Sequence, residues 1–488
     1  MQVPYEFSPL DEIIPPLYAA LIFAFPCPSK AERLRALQIL QDGLSRTVAQ
    51  RPYITGEIAR DEPARARPGH LILKVPSTPH DIRIDLNDMT IAGQEFPCSY
   101  EELRAAGMPH SKLDARVLAP LAAGIGTTRK VITARMNFIP GGCLLTMCLS
   151  HAFTDAWGIS VIVGQWAKNC RELQEPSDHV AAKVDTRTEE TKPLSVRRSG
   201  TLEDYERLKH RPELWRLLGL DWKARDAIEP LACSDPFSPG AAERAEGRVM
   251  ITSVFSFSPA ALKRLKRDAS PNAPDPSGES PAWISTKDAV AAFMWQHIMR
   301  ARFPPSYMKR NGVDRLSIAT VAVDGRTRLS PPIPPSYTGN VIFCCMNELP
   351  LSVLTSPDTS LAEITPKIRS NLEKCTSREV LSDAVLLAAS IPDVRQLRYG
   401  ISSWTAEELV TSSWADLPFY DMDWGDIFGK TGRMEFFRMP KGQLEGICFQ
   451  HPRHVDGSVD IVVGLEVEQM KRLRDDKDFL AYVAFVSE

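Results

Sequence analysis

The chain has 488 residues, 43 % hydrophobic and 24 % charged, which reads as globular rather than disordered and as two domains of about 200 to 250 residues each. A formal net charge of -3 supplies no attraction for a polyanion, which argues against a nucleic-acid partner. The ten cysteines form no CxxC pair and lie mostly in apolar runs, so they read as reduced core thiols of a cytoplasmic protein.

Leu17 to Phe25 is the first strongly apolar stretch. It is too short to span a bilayer and has neither the basic flank nor the cleavage site of a secretory signal, so it predicts a buried strand. Ser29-Lys30-Ala31-Glu32 is a capping box, and Leu34, Leu37, Leu40 and Leu44 continue a helical stripe that Arg51-Pro52 breaks. Val131 to Ile139 and Cys143 to Leu149 flank Pro140-Gly141-Gly142, a hairpin signal that delivers the chain to His151 at a strand end. Ile159, Val161, Ile162 and Trp166 then take up helical spacing.

Residues 173–246 turn polar and read as a crossover, with a capped helix near Thr201 to Leu218 and a turn-rich stretch from Cys233 to Gly240. Arg248 to Phe257 restores a strand, and Ser258-Pro259 caps a helix that carries the basic run Lys263 to Arg267. Ala269 to Pro281 suits an exposed loop. Ser285-Thr286-Lys287-Asp288 opens a second capped helix, and Leu444 to His451 pairs with the strand from Val459 through Val455-Asp456-Gly457. The domains are then 1–172, the crossover 173–246, and 247–488.

The chemistry centres on Ser150-His151-Ala152-Phe153-Thr154-Asp155-Ala156-Trp157-Gly158. A neutral imidazole at a strand end takes a proton from an alcohol or an amine. Asp155 lies four residues on, so a continuous helix would put it beside His151, whereas a helix starting after His151 would turn it away to serve the fold. His451 and His454 flank a hairpin turn without further ligands at zinc spacing and read as solvated; no metal is expected.

Several stretches, in order, resemble the BAHD acyltransferase family, and overall length places the likeness in its fungal branch, the trichothecene acetyltransferases. Phe7-Ser8-Pro9-Leu10-Asp11 resembles the N-terminal Ser-Pro-Leu-Asp segment, and His151 to Gly158 resembles HxxxDGxG. Ser285 to Arg302 is similar to the helix that opens on Ser-Thr. Val323-Asp324-Gly325-Arg326-Thr327-Arg328 through Tyr337-Thr338-Gly339-Asn340 is similar to the Arg-x-Arg to Tyr-x-Gly-Asn segment. Ser412-Ser413-Trp414 and Asp423-Trp424-Gly425 resemble the Ser-Trp and Asp-Phe-Gly stretches. Two positions depart: Ala156 replaces a glycine, and Asp426-Ile427-Phe428-Gly429 does not restore Trp-Gly, with Asp421 as the other candidate anchor.

The resemblance implies an α/β fold of two chloramphenicol-acetyltransferase-like domains, each a mixed sheet flanked by helices, with the active-site channel at their interface. It implies acyl-CoA, in the first place acetyl-CoA, as co-substrate, with no permanently bound cofactor. The acceptor it implies is a hydroxyl of a small-molecule fungal secondary metabolite, with N-acylation of an amine or a non-catalytic binding or scaffold role as alternatives. His151 is implied as general base in a direct ternary-complex reaction. Asp155 is implied as structural support paired with Arg326, or with Arg328 in its place. Trp414 is a candidate oxyanion donor or pocket wall, with Ser413 a second candidate donor. Lys263, Lys266, Ser285 and Thr286 are candidate CoA contacts. Arg326, Asn340, Asp423 and Gly425 are implied as structural, and the working unit as a monomer without a membrane span.

Overall fold

The computed structural model describes residues 5–488 except 16, 28, 62–66, 78–80, 121–128, 176–199, 223–248, 272–280, 282, 305–306, 308–313, 401–406 and 442–446. Most of the expected crossover, Cys233 to Gly240 and most of the loop before Pro281 therefore lie outside the described residues.

Alternating apolar and polar positions cannot account for the strand Tyr18–Pro26, which is buried on both faces along most of its length. It lies second from the edge of a five-stranded sheet and pairs antiparallel with Gly142–Ser150, Tyr18 opposite Ser150 and Pro26 opposite Gly142. Gly141, with a φ of 81°, makes the expected tight turn into that strand from Ile132–Ile139. Ile84–Asp88 adds a parallel strand beyond it, so the sheet is mixed. Helix Lys30–Gln50 opens with the expected capping box, although Leu34 is 61 % exposed. The buried stripe is Ala36, Leu40, Gly43, Leu44, Thr47 and Val48. Gly43 belongs to it because a Cβ there would collide with Cys170 on the crossing helix Ala156–Glu172.

The second half builds a seven-stranded mixed sheet in the order Ile342–Pro350, Leu316–Asp324, Glu408–Ser413, Ile447–Gln450, Val459–Glu466, Met250–Phe257, Ala484–Ser487. Glu408–Ser413 runs parallel to both of its neighbours, and the other pairings are antiparallel. Helix Thr286–Arg302 is buried on nearly every face, which explains its lack of a polar stripe. A small three-stranded sheet of Tyr5–Glu6, Leu71–Lys74 and Glu57–Arg60 completes the fold.

Two further sequence expectations change. The helix expected near Thr201 to Leu218 is two, Leu202–Leu208 and Pro212–Leu217, because Pro212 cannot continue the first helix and opens the second at its first turn. The second half also does not stay within its own sheet: Phe436–Arg438 crosses back to pair with Tyr18–Pro26 in the five-stranded sheet. Trp424, on the same excursion, packs edge-on against Phe23, Phe25 and Trp166. The main core accordingly mixes residues from both ends of the chain.

Candidate active site

Strand Gly142–Ser150 ends one residue before His151, and helix Ala156–Glu172 begins five residues after it, with Asp155 as its N-cap. The helix therefore starts after the histidine, and Asp155 turns away from it. One carboxylate oxygen of Asp155 accepts from the Gly158 amide at 2.9 Å and from Arg326 Nη2 at 2.9 Å. The other accepts from Arg326 Nη1 at 2.8 Å and from the Val341 amide at 2.9 Å. The pair is bidentate and buried on both sides, and it leaves the carboxylate no free direction toward an imidazole.

Arg326 also donates to the carbonyls of Tyr337 and Gly339 at 3.3 and 2.8 Å, so one guanidinium fixes the helix N-terminus and the Tyr337–Asn340 turn together. Burial works against its charge, yet Asp155 and Asp324 hold its pKa above the ordinary arginine value. Arg328 instead reaches Thr376 Oγ1 at 3.0 Å, which resolves the choice of partner in favour of Arg326.

Asn340 does more than shape a turn. Its Nδ2 donates at 2.9 Å to the His151 carbonyl and at 2.8 Å to Asp11, whose same oxygen accepts the Asn340 amide at 2.7 Å. The other Asp11 oxygen accepts from the Ser8 hydroxyl and amide at 2.7 and 2.9 Å, within the capping box of helix Pro9–Glu12. Burial lifts Asp11 to a pKa of about 7, against the opposing pull of the Asn340 and Ser8 donors. The His151 amide donates to the Leu17 carbonyl at 2.8 Å, so the backbone at His151 is held on both sides. Its side chain is half-buried, and Nδ1 has no hydrogen-bond partner among the described residues.

Ala156 occupies the first helical turn, where no positive φ is needed, so the missing glycine leaves the turn intact. Gly158 is different: any Cβ there would run into the Thr338 carbonyl and the Thr154 hydroxyl. The Asp423 carboxylate accepts from the Gly425 amide at 2.9 Å, and Gly425 takes a φ of 83° beside Gln174. This loop thus belongs to the core behind the site, and Asp421 is not its anchor.

Trp414 is buried in an aromatic cluster, stacked on Phe419 at 5.7 Å and tilted against Phe437 and Phe449. Ser413 Oγ pairs with Gln450 at 3.1 Å. A small cleft of about 20 Å³ beside this strand is lined by Thr286, Lys287, Gln450 and Arg453 among others. Lys263 and Lys266 stand exposed on helix Pro259–Asp268, outside that lining, and the Ser285 side chain is engaged in capping its own helix. Lys287 and Arg453 were not singled out by sequence; Lys287 directly follows the Ser-Thr pair and carried that signal.

His451 corrects the expectation of solvated turn histidines. It is fully buried between Phe437 and Phe449, and His454 pairs with Asp460 at 3.2 Å. The strand Ile447–Gln450 feeds His451 into the junction between the two halves rather than into the solvated turn.

Among the described residues, no helix is long and apolar enough to cross a membrane. The Transferase family model matches residues 125–480, and a Trichothecene 3-O-acetyltransferase-like N-terminal domain matches residues 17–170. The chain belongs to the Transferase family, and it is an acyl-CoA-dependent O-acyltransferase. It is 37 % identical to an eremophilane O-acetyltransferase of Penicillium roqueforti, covering 98 % of each chain. It is 27 % identical to a trichothecene 3-O-acetyltransferase of Fusarium sporotrichioides, covering 97 % of this chain and 95 % of that one. The crystal structure of Fusarium graminearum TRI101 with coenzyme A and deoxynivalenol shares the fold, with a TM-score of 0.78 at 21 % identity over 100 % of both chains. Vinorine synthase shares it with a TM-score of 0.60 at 17 % identity, covering 99 % of this chain and 94 % of that one.

Proposed function

We propose that this enzyme transfers the acetyl group of acetyl-CoA to a hydroxyl of a sesquiterpenoid of the eremophilane type, with His151 as general base. The observation that carries the reading is how the loop around His151 is held. Asp155, Arg326, Asn340 and Asp11 bind its backbone and flanks and leave its imidazole uncommitted. With Nδ1 buried, Nε2 is the nitrogen left to meet an acceptor.

The acceptor oxygen attacks the thioester carbonyl while His151 takes its proton, and the tetrahedral intermediate collapses by expelling the CoA thiolate. The imidazolium returns the proton to that sulfur, so no covalent acyl-enzyme forms. The acceptor class rests on two eremophilane O-acetyltransferases that are each 37 % identical over 98 % of this chain. We assign Trp414 to the pocket wall, because its ring is stacked within an aromatic cluster. We assign the CoA phosphates to Lys287 and Arg453, which share one cleft with Thr286 and have Asp416 as a common carboxylate neighbour at 2.6 and 4.0 Å. Lys263 and Lys266 would then act only at its rim.

We place the enzyme in the cytoplasm as a monomer, supported by nine described cysteines that are free thiols and by a site assembled within one chain. Incubating purified protein with acetyl-CoA and a hydroxylated eremophilane, then measuring product mass and CoA release, tests the function. An acetate ester is the expected product. Acylation of amines with no ester from any sesquiterpenoid alcohol would overturn the reading in favour of an N-acyltransferase.

A further inference from the structure

Strand Ile342–Pro350 turns Phe343, Cys345, Asn347 and Leu349 to one buried face by its period of two. Helix Leu361–Cys375 contacts that strand and ends on Cys375, whose thiol meets the same side chain as that of Cys345. Asn371, one turn earlier, joins the two sulfurs: its Nδ2 lies 3.3 Å from Cys345 Sγ, and its Oδ1 lies 3.4 Å from Cys375 Sγ. The same Nδ2 holds the Met346 carbonyl and Asn347 Oδ1, each at 3.0 Å, so this bridge is part of a fixed polar network.

The pair differs from ordinary core thiols in access and in charge. Cys345 is buried but Cys375 is partly exposed, and Asn371, which bridges them, lines a cavity of about 340 Å³ together with Arg216, Lys367 and Asn347. The neighbouring Cys345 thiol brings the Cys375 pKa down to about 7, with burial opposing it and the Arg216 guanidinium assisting. Arg216 is itself ion-paired with Glu348, which fixes it at that cavity. A second pair of neighbouring thiols, Cys27 and Cys143, is only 1 % and 0 % exposed and provides an internal comparison.

We propose that Cys375 and Cys345 form a redox-modifiable dithiol that hydrogen peroxide converts into an intramolecular disulfide. The Cys375 thiolate attacks one peroxide oxygen, the O–O bond breaks, and the departing hydroxide takes a proton to become water, leaving a sulfenic acid. Cys345 then loses its proton as its sulfur attacks that of Cys375; the S–S bond forms, the S–O bond breaks, and a second water leaves. Two thiols are oxidised by two electrons in all, and the peroxide is reduced to two waters.

Reduced full-length protein treated with hydrogen peroxide, alkylated and mapped by non-reducing peptide mass spectrometry tests the proposal. The expected result is one linked peptide pair, Cys345 with Cys375, reversed by dithiothreitol, with Cys27 and Cys143 still present as thiols. In Cys345→Ser, Cys375 should accumulate as a sulfenic acid that dimedone traps. Survival of Cys375 as a thiol at doses that oxidise the partly exposed Cys98 and Cys344 would overturn the proposal. So would its oxidation in the unaltered protein without linkage to Cys345.

Discussion

The Asp155 carboxylate accepts four hydrogen bonds, none of them from His151, and its charge is matched by the buried fork of Arg326. Removing the carboxylate strands that guanidinium, so Asp155→Ala should lose about 3 to 5 kcal/mol of stability, read by chemical denaturation. A melting curve unchanged from the parent would contradict that role. Asn340→Ala frees the His151 carbonyl and takes one of its donors from Asp11, the backbone amide remaining, and we expect kcat to fall while KM for acetyl-CoA stays near the parent value in steady-state assays. At this scale the sequence carried His151, Asp155 and Arg326 through their motif. It did not reveal that Asn340 grips His151, because that bond joins residues 189 apart and an asparagine beside a glycine also fits a plain turn.

The elements that shape the site were legible where the signal is local. Capping boxes at Ser29 and Ser285, the glycine turn before Gly142–Ser150 and the Ser258-Pro259 start all fall where the side chains and φ preferences put them. Leu34 was misread because a leucine in the first turn fits a stripe by spacing alone, while the face that packs is set by the helix crossing at Gly43 and Cys170. The same local logic separates the two small residues after Asp155. Ala156→Gly should cost no more than about 1 kcal/mol and keep full activity. Gly158→Ala has to displace the Thr338 carbonyl, and with it the turn that Arg326 and Asn340 hold, so activity should drop sharply. Equal activity of the two variants in a CoA-release assay would contradict this account.

Across the whole molecule, the junction of the halves is closed by the excursion that brings Phe436–Arg438 into the first sheet. Arg438, buried, donates to the carbonyls of Gly107 and Met108 and to Asp460, and so ties three distant segments together. The sequence showed no such return, since a three-residue strand leaves no periodic signal. His110 and His451 sit at this junction with their ring centroids 6.4 Å apart, facing Arg438, Asp460 and His454. Burial, followed by Arg438, depresses both pKa values, that of His110 to about 3.

Both rings therefore stay neutral in the folded chain while the unfolded chain protonates near pH 6.5. The unfolded state binds more protons, so stability is lost as pH falls below that value toward about 3. At pH 5 the His110 contribution is about 2 kcal/mol. Asp11, lifted by burial to about 7, acts in the opposite sense, its stabilisation being lost as pH rises through that value. The difference between the parent protein and His110→Gln isolates the histidine: denaturation at pH 7.5 and 5.0 should show the variant losing less over this span. Parallel losses would contradict it.

In the proposed reaction His151 moves the proton of the acceptor while its neighbours hold it in place. His151→Ala, assayed for CoA release with acetyl-CoA and an acceptor alcohol alongside a melting curve, tests it most directly. The expected variant melts like the parent and does not turn over. A folded His151→Ala enzyme that still transfers the acetyl group at the parental rate would contradict it.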